Sequence, residues 1–297
     1  MPSELGIKID VDTLIGYRQG VPSLLRQLET VGARATFCFA VGPDRSGLAI
    51  RRVFTQRGFI AKMLRNKALT TYGFPTVVYG TLLPAPLIVA ADPGIARAVA
   101  DAGHEICVHG WDHVNWHDNL GRMPADRVNE QMKRAFDGLT QAVGFRPRCF
   151  AAPGWQCSAA SLASHDALGL AYASDVRGKG GPFRPVLGGT EFVTPQIPTN
   201  LPTLDEMWGA EVQDCSMAAA RWLSLLQPEV NVLTAHAEME GMALIEALPL
   251  FLRRAGDSGI AGVDLGTIVS HVTDFPARTV APVRLPGRAG TVWSVLE

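Results

Sequence analysis

Residues 6–13 read Gly-Ile-Lys-Ile-Asp-Val-Asp-Thr, and this short stretch decides the fold. From Gly6 to Asp12 apolar and polar side chains alternate, the period of a β-strand with one buried face. The alternation ends in Asp10 and Asp12, and acids at alternate strand positions point to the same side. Downstream, Val21 to Val31 (VPSLLRQLETV) carries apolar residues at helical spacing, and Gly32 follows as a stop signal. Ala35 to Val41 (ATFCFAV) reads as a second strand, closed by Gly42-Pro43-Asp44. Strand, helix, strand implies a parallel sheet with helical crossovers.

The alternation resumes with a helix at Pro93 to Ala102, closed by Gly103, and a strand at His104 to Val108. A long helix is expected from Ala125 to Val143, then a strand at Arg148 to Ala152, a helix at Ala159 to Leu168 and a strand at Leu170 to Ser174. After a Gly/Pro-rich loop come a helix at Cys215 to Leu226, a strand at Glu229 to Ala235, a helix at Leu244 to Ala255 and a short strand near Ile260. No repeat of fixed period is visible. Repeated βα units call for one α/β domain, either a barrel or an open sheet.

Two stretches stand outside this alternation. Ser46 to Leu69 is basic and apolar, with Arg51, Arg52, Arg57, Lys62, Arg65 and Lys67 among Leu, Ile, Val and Phe. Phe74 to Ala91 runs roughly 18 residues without a charge, near the lower limit for a bilayer span. Pro75, Pro84 and Pro86 interrupt it, so a transmembrane helix is not expected. The expected division is one domain over residues 1–275, an insert at 46–91 after the second strand, and an irregular Pro/Gly/Arg-rich tail at 276–297.

A formal net charge of −1 over 297 residues leaves no global basic field to hold nucleic acid. The five cysteines are odd in number, scattered and without a CxxC pair, so buried thiols are expected rather than a disulfide framework. The opening MPSELGIKIDVD has no basic, apolar and small-residue succession of a secretory signal, which points to a cytoplasmic location.

The chemistry-bearing residues lie at the strand ends. His109 and His113, in HGWDH, follow a strand directly. Their i, i+4 spacing puts both imidazoles on one face of a helical turn, within reach of one ion; a chance surface pair is the alternative. Asp10 and Asp12 end the first strand, where α/β proteins place active sites. Alone, such acids also serve as helix caps or solvated loop residues. Taken together, two histidines and one carboxylate leave open positions on a divalent ion, the pattern of a hydrolytic site. A second carboxylate nearby can act as base on water activated by that ion. His/His/Asp accepts Zn, Mn, Co or Fe. His236, in LTAHAE at the end of another strand, reads as a general acid for a leaving amine or as a core histidine bonded to backbone.

In this order the residues resemble the polysaccharide deacetylase family, the NodB-type carbohydrate esterases and amidases. The resemblance implies a distorted (β/α) barrel binding one divalent metal ion. It implies Asp10 as catalytic base, and Asp12, His109 and His113 as metal ligands. It further implies His236 as the acid, in a Leu-x-x-His motif with Leu233, and Asp175 in ASDVRG as the carboxylate that orients it. FAAPGW keeps Pro153 and Gly154 of another family motif, but Ala151 stands where an arginine partners the base. Arg148 and Arg177 are the candidates to replace that arginine.

Within the family, GIKIDVDT, GVPSLL, FAVGPDRSG, HGWDHVNWH, SDVRGKGGPFRP, QIPTNLPTLDE and HAEMEG, in that order, are similar to a narrower group. Those enzymes deformylate 4-deoxy-4-formamido-L-arabinose linked to undecaprenyl phosphate. The likeness implies a peripheral enzyme on the cytoplasmic face of the inner membrane, supplying the amino sugar for lipid A modification and polymyxin resistance. No nucleic acid and no obligatory protein partner is expected. The insert at 46–91 fits a lipid-linked substrate, since interfacial segments pair Lys/Arg with apolar side chains; ordinary core helices are the alternative. Arg177, Lys179 and Arg184 suit a phosphodiester, or are solvated loop charges. Trp111, Trp116 and Trp155 either stack on a sugar or pack in the core. His117 is read as a contact to the metal ligands or substrate, and Glu238 as a substrate contact. Two other readings stay open. One is an N-deacetylase acting on an N-acetylated cell-wall sugar with the same residues. The other is a carbohydrate- or lipid-binding protein with a decayed site, for which Ala151 is the argument.

Overall fold

Strand β1 (Glu4–Val11) is buried from Leu5 onward, which only a central strand can be. The computed structural model describes residues 4–51, 79–81, 83–286, 288 and 290–296. After β1 come α1 (Val21–Val31), β2 (Thr36–Phe39), α2 (Pro93–Asp101), β3 (Glu105–Val108), α3 (His113–Asn119) and α4 (Ala125–Val143). The chain continues with β4 (Cys149–Phe150), α5 (Ala159–Leu168), β5 (Tyr172–Ala173), β6 (Arg184–Leu187), β7 (Thr190–Glu191), α6 (Leu204–Met207) and α7 (Cys215–Ser224). It ends with β8 (Asn231–His236), α8 (Ala247–Asp257), β9 (Ala261–Val263), α9 (Leu265–Ser270), β10 (Ala277–Val283) and β11 (Val292–Val295).

The main sheet runs β5-β4-β3-β2-β1-β8, with β9 also pairing β1, and all its pairs are parallel. It curls into a barrel whose gap between β5 and β8 is bridged without a regular strand. Ile197 N–H donates to the Ala173 carbonyl at 2.8 Å, and Leu201 N–H to the Val232 carbonyl at 3.2 Å. The distorted α/β barrel expected from sequence is thus present, closed by an extended segment over 195–201.

Strand alternation sorts the two faces of β1. Leu5, Ile7, Ile9 and Val11 join the main core beneath the helices. Gly6, Lys8 and Asp10 take the alternate positions and so face the barrel interior. Cys38, Cys107 and Cys149, from three neighbouring strands, fill that interior with Ala151, Tyr172 and Ile197, and Leu265 and Ile268 of α9 join the same cluster. All five cysteines are free, and all but Cys215 are buried. Outside the sheet, α4 buries Val128, Met132, Ala135, Phe136 and Leu139, the stripe expected of an amphipathic helix, and stops at Gly144 with φ of 89°.

The tail corrects an expectation. Residues 276–297, expected to be irregular from their composition, contribute β10 and β11 to a second sheet of order β11-β10-β6-β7. Composition misled because these strands form by pairing with β6, about ninety residues earlier in the chain, and not by local pattern. Within the 46–91 insert, residues 52–78 and 82 lie outside the described residues. No helix among the described residues is long and apolar enough to cross a membrane.

Candidate active site

The C-terminal ends of β1, β3 and β8 converge. Strand register places Asp10 directly beside His236, and Ala237 N–H donates to the Asp10 carbonyl at 2.9 Å. His109 leaves β3, its N–H held by the Phe39 carbonyl at 2.8 Å. The chain then turns at Gly110, whose φ of 81° suits only glycine comfortably, and restarts as α3 with Asp112 as its N-cap. His109 and His113 therefore do not share a helix, as their spacing suggested. A strand end and a helix start bring them together instead, with ring centroids 5.2 Å apart.

Asp12 Oδ1 lies 3.3 Å from His109 Nε2 and 3.4 Å from His113 Nε2. One ligand atom from each of these three residues lies within 4.8 Å of the others. Two further observations fit a metal here. Asp12 Oδ1 is buried without a hydrogen-bond partner. His109 Nδ1 sits 2.7 Å from the Ala151 carbonyl, which fixes the ring as an Nδ1–H donor and turns the Nε2 lone pair to the centre. Burial raises the Asp12 carboxyl's pKa, but His113, His109 and His236 overcome it and hold the group far below the usual carboxylate range. A deprotonated carboxylate and a free imidazole lone pair are what a divalent ion needs.

Asp10 is buried, with Oδ1 unpartnered, and its Oδ2 lies 3.9 Å from His109 Nε2. The cation nearest to it is Lys8, whose Nζ is 3.6 Å from Asp10 Oδ2. Neither candidate to replace the arginine missing at Ala151 partners Asp10. Arg148 is exposed, and Arg177 pairs with Glu206 at 3.3 Å.

His236 is partly buried. Burial lowers its pKa, but Asp205, Asp12, Asp10 and Glu240 outweigh this and raise it, Asp205 most strongly. Among the described residues Asp175 makes no hydrogen bond or ion pair with His236, which corrects the reading that it orients that ring. Asp175 instead lies fully buried, 3.1 Å from Gln196 Nε2 and 3.5 Å from His165 Nδ1. Burial pushes it up to about 7. Asp205, which sequence reading missed, is the carboxylate whose charge raises His236 most, and Glu240 Oε2 accepts from His236 N–H at 2.9 Å. Asp205 sits on α6, a single helical turn opened by a Thr203/Glu206 capping box. That box, Thr-Leu-Asp-Glu directly after a proline, was the available signal.

The other proposed contacts divide. Glu238 is turned inward: its Oε1 accepts from Asp12 N–H at 3.2 Å, Thr13 N–H at 2.9 Å and Thr13 Oγ1 at 2.6 Å. It holds the loop bearing Asp12, which corrects its reading as a substrate contact. Burial, then the charge of Asp12, pushes it up to about 7. Trp111 packs against Arg134 at 4.3 Å and over Gly42 while staying partly exposed, and Trp116 is buried against Phe150. Trp155 is also buried, ringed by Lys8, Arg177 and Arg288 at 5.0, 4.8 and 4.4 Å. His117 lies outside the metal cluster and packs on Gly154, where a Cβ would come within 2.0 Å of its ring. Arg184 pairs with Glu191 at 2.8 Å in the second sheet, and exposed Lys179 lines a cleft with Arg278 and Glu229. Arg177 lines that same cleft and packs against Trp155 and Glu206.

Residues 11–173 match the family model described as polysaccharide deacetylase. The chain belongs to the polysaccharide deacetylase family. Among its relatives is a protein of Shewanella sediminis named probable 4-deoxy-4-formamido-L-arabinose-phosphoundecaprenol deformylase. The two are 35% identical over 290 residues, covering 97% of this chain and 93% of that one. A protein of Wigglesworthia glossinidia brevipalpis with the same name is 28% identical over 282 residues, covering 94% of this chain and 97% of that one. A solved structure from Mycobacterium smegmatis, described as a putative polysaccharide deacetylase, superposes with a TM-score of 0.65 at 18% identity, covering 95% of this chain and 94% of that one.

Proposed function

We propose that this enzyme hydrolyses the formamide of undecaprenyl phosphate-linked 4-deoxy-4-formamido-L-arabinose, releasing formate and the 4-amino sugar lipid. The observation that carries this is a hydrolytic site, Asp12, His109 and His113 flanked by Asp10 and His236, in a chain that aligns over 97% of its length with a relative named for that reaction. The product would serve lipid A modification and polymyxin resistance.

Asp12, His109 and His113 would hold one divalent ion, Zn, Mn or Co. When bound, it supplies Lewis acidity toward the amide carbonyl and acidifies water. Asp10 takes a proton from the attacking water. Pro153 has no N–H and Trp155 N–H is spent on the Ala152 carbonyl at 3.2 Å, so Gly154 N–H is the backbone donor offered to the developing oxyanion. His236 passes its proton to the departing 4-amine, and the C–N bond breaks.

A donor must carry its proton, so the rate falls as pH rises through the pKa of His236. Asp205→Asn removes the strongest charge that raises this pKa. The alkaline fall in kcat is expected to move to lower pH, with the acidic side of the profile little changed. An unmoved alkaline limb would remove Asp205 from this role.

The substrate places the protein at a membrane, and the basic-apolar stretch from Ser46 to Ala91 suits the cytoplasmic leaflet's anionic surface. The full chain is expected to float with anionic vesicles. Changing Arg52, Arg57, Lys62, Arg65 and Lys67 to Gln should leave it in the soluble fraction; equal flotation of both proteins sinks the docking role. For the reaction itself, formate release from the polyprenyl-linked formamido sugar is compared with acetate release from N-acetylated oligosaccharides. Formate release alone is expected, and acetate release alone would instead establish the N-deacetylase.

A further inference from the structure

A lysine with no exposed surface sits at the back of the site. Lys8 is 0% exposed and lies on β1, two residues before Asp10 and on the same strand face. Its Nζ approaches Asp10 Oδ2 at 3.6 Å and the Trp155 ring centroid at 5.0 Å. Among the described residues neither Lys8 Nζ nor Asp10 Oδ1 has a hydrogen-bond partner. Asp175, the other carboxylate that feels this ammonium, is fully buried behind it.

Burying an ammonium is expensive, and a methionine or leucine would fill the same volume without that cost. Strand register sets Lys8 between Thr36 and Thr234, both neutral, so strand pairing supplies no reason for a charge at this position. The surroundings are built to keep the lysine in place. Trp155 adopts φ of 52°, a conformation costly for a large side chain, and its indole N–H donates to Thr199 Oγ1 at 2.6 Å. That fixes an aromatic face against the cation, a favourable pairing.

We propose that Lys8 is the positioning residue for Asp10. Its ammonium holds Asp10 by Oδ2 from within the same strand, so that Oδ1 is presented to the attacking water. It also offsets the mutual repulsion of Asp10 and Asp12, which share one side of the site. In the step it serves, a water O–H bond breaks and its proton passes to Asp10 Oδ1, while the water oxygen bonds to the amide carbon and the carbonyl π pair moves onto the carbonyl oxygen. With Ala151 offering only a methyl group, Lys8 is the cation that the fold supplies to the base.

This inference rests on Asp10 acting as the base, so the test is a double-mutant cycle. Turnover is measured on whichever of the formamido or acetamido substrates the wild type hydrolyses, which keeps a wrong substrate assignment separate from a wrong role for Lys8. Lys8→Met is expected to lower kcat about 100-fold, with KM within about threefold and metal content unchanged. Lys8→Arg should recover at least about a tenth of wild-type kcat, since it restores the charge. In an Asp10→Asn background, Lys8→Met should cost less than about threefold more, because its target is already gone. Equal losses in both backgrounds, or a Lys8→Met kcat within about threefold of wild type, overturn the proposal. Should Lys8→Met fail to fold, Lys8→Gln carries the same comparison.

Discussion

His109→Ala is expected to strip the protein of its ion and its activity together. His109 is the innermost ligand candidate: it is buried, its Nδ1 is braced on the Ala151 carbonyl, and its Nε2 lies 3.3 Å from Asp12 Oδ1. Losing an outer-shell partner of a metal ligand typically costs about 10–100-fold in affinity, and losing the ligand itself should exceed that. Since the ion contributes several kcal/mol of transition-state stabilisation, turnover should fall by about 10³-fold or more. Elemental analysis and formate release on the same purified sample check both halves. Stoichiometric metal in the variant would remove His109 from the ligand set.

Asp10→Asn should separate chemistry from metal binding. Asp10 is not in the metal cluster, although its Oδ2 comes within 3.9 Å of His109 Nε2. The variant is expected to keep its ion while kcat falls by about 10²–10⁴-fold, the usual contribution of a positioned general base. The substitution is nearly isosteric, so the strand pairing that aligns Asp10 with His236 should survive. A variant with wild-type kcat would leave proton abstraction to another group. Loss of metal would instead make Asp10 a ligand.

What could be read from the chain and what could not follow from distance along it. Strand β1 was legible from an alternation that ends in two acids, and β3 and β8 from short apolar runs that each end in a histidine; a parallel sheet collects their C-terminal ends. His109 and His113 were legible as a pair, but their helical spacing suggested the wrong local geometry, since Gly110 and the Asp112 cap break any common helix. Asp175 was chosen from its place in a motif order. Its true neighbours are Gln196, on the extended segment that closes the barrel, and His165, on the helix just before β5. Asp205 escaped because it lies on a four-residue helix with no periodicity to detect. Lys8 escaped for the opposite reason. In an alternating strand a lysine reads as the solvated face, and nothing local shows that the barrel folds over it. The tail strands pair with β6 across a long sequence separation, so their Pro- and Arg-rich composition passed for an irregular end.

The most direct test of the central claim is formate release by metal-free enzyme during stepwise addition of a divalent ion. Chelator-treated protein should be inactive on the polyprenyl-linked formamido sugar. Activity should rise linearly to a plateau at about one ion per chain, as the three-ligand site of Asp12, His109 and His113 requires. Full formate release without metal, or none at saturating metal from a folded protein, would contradict it.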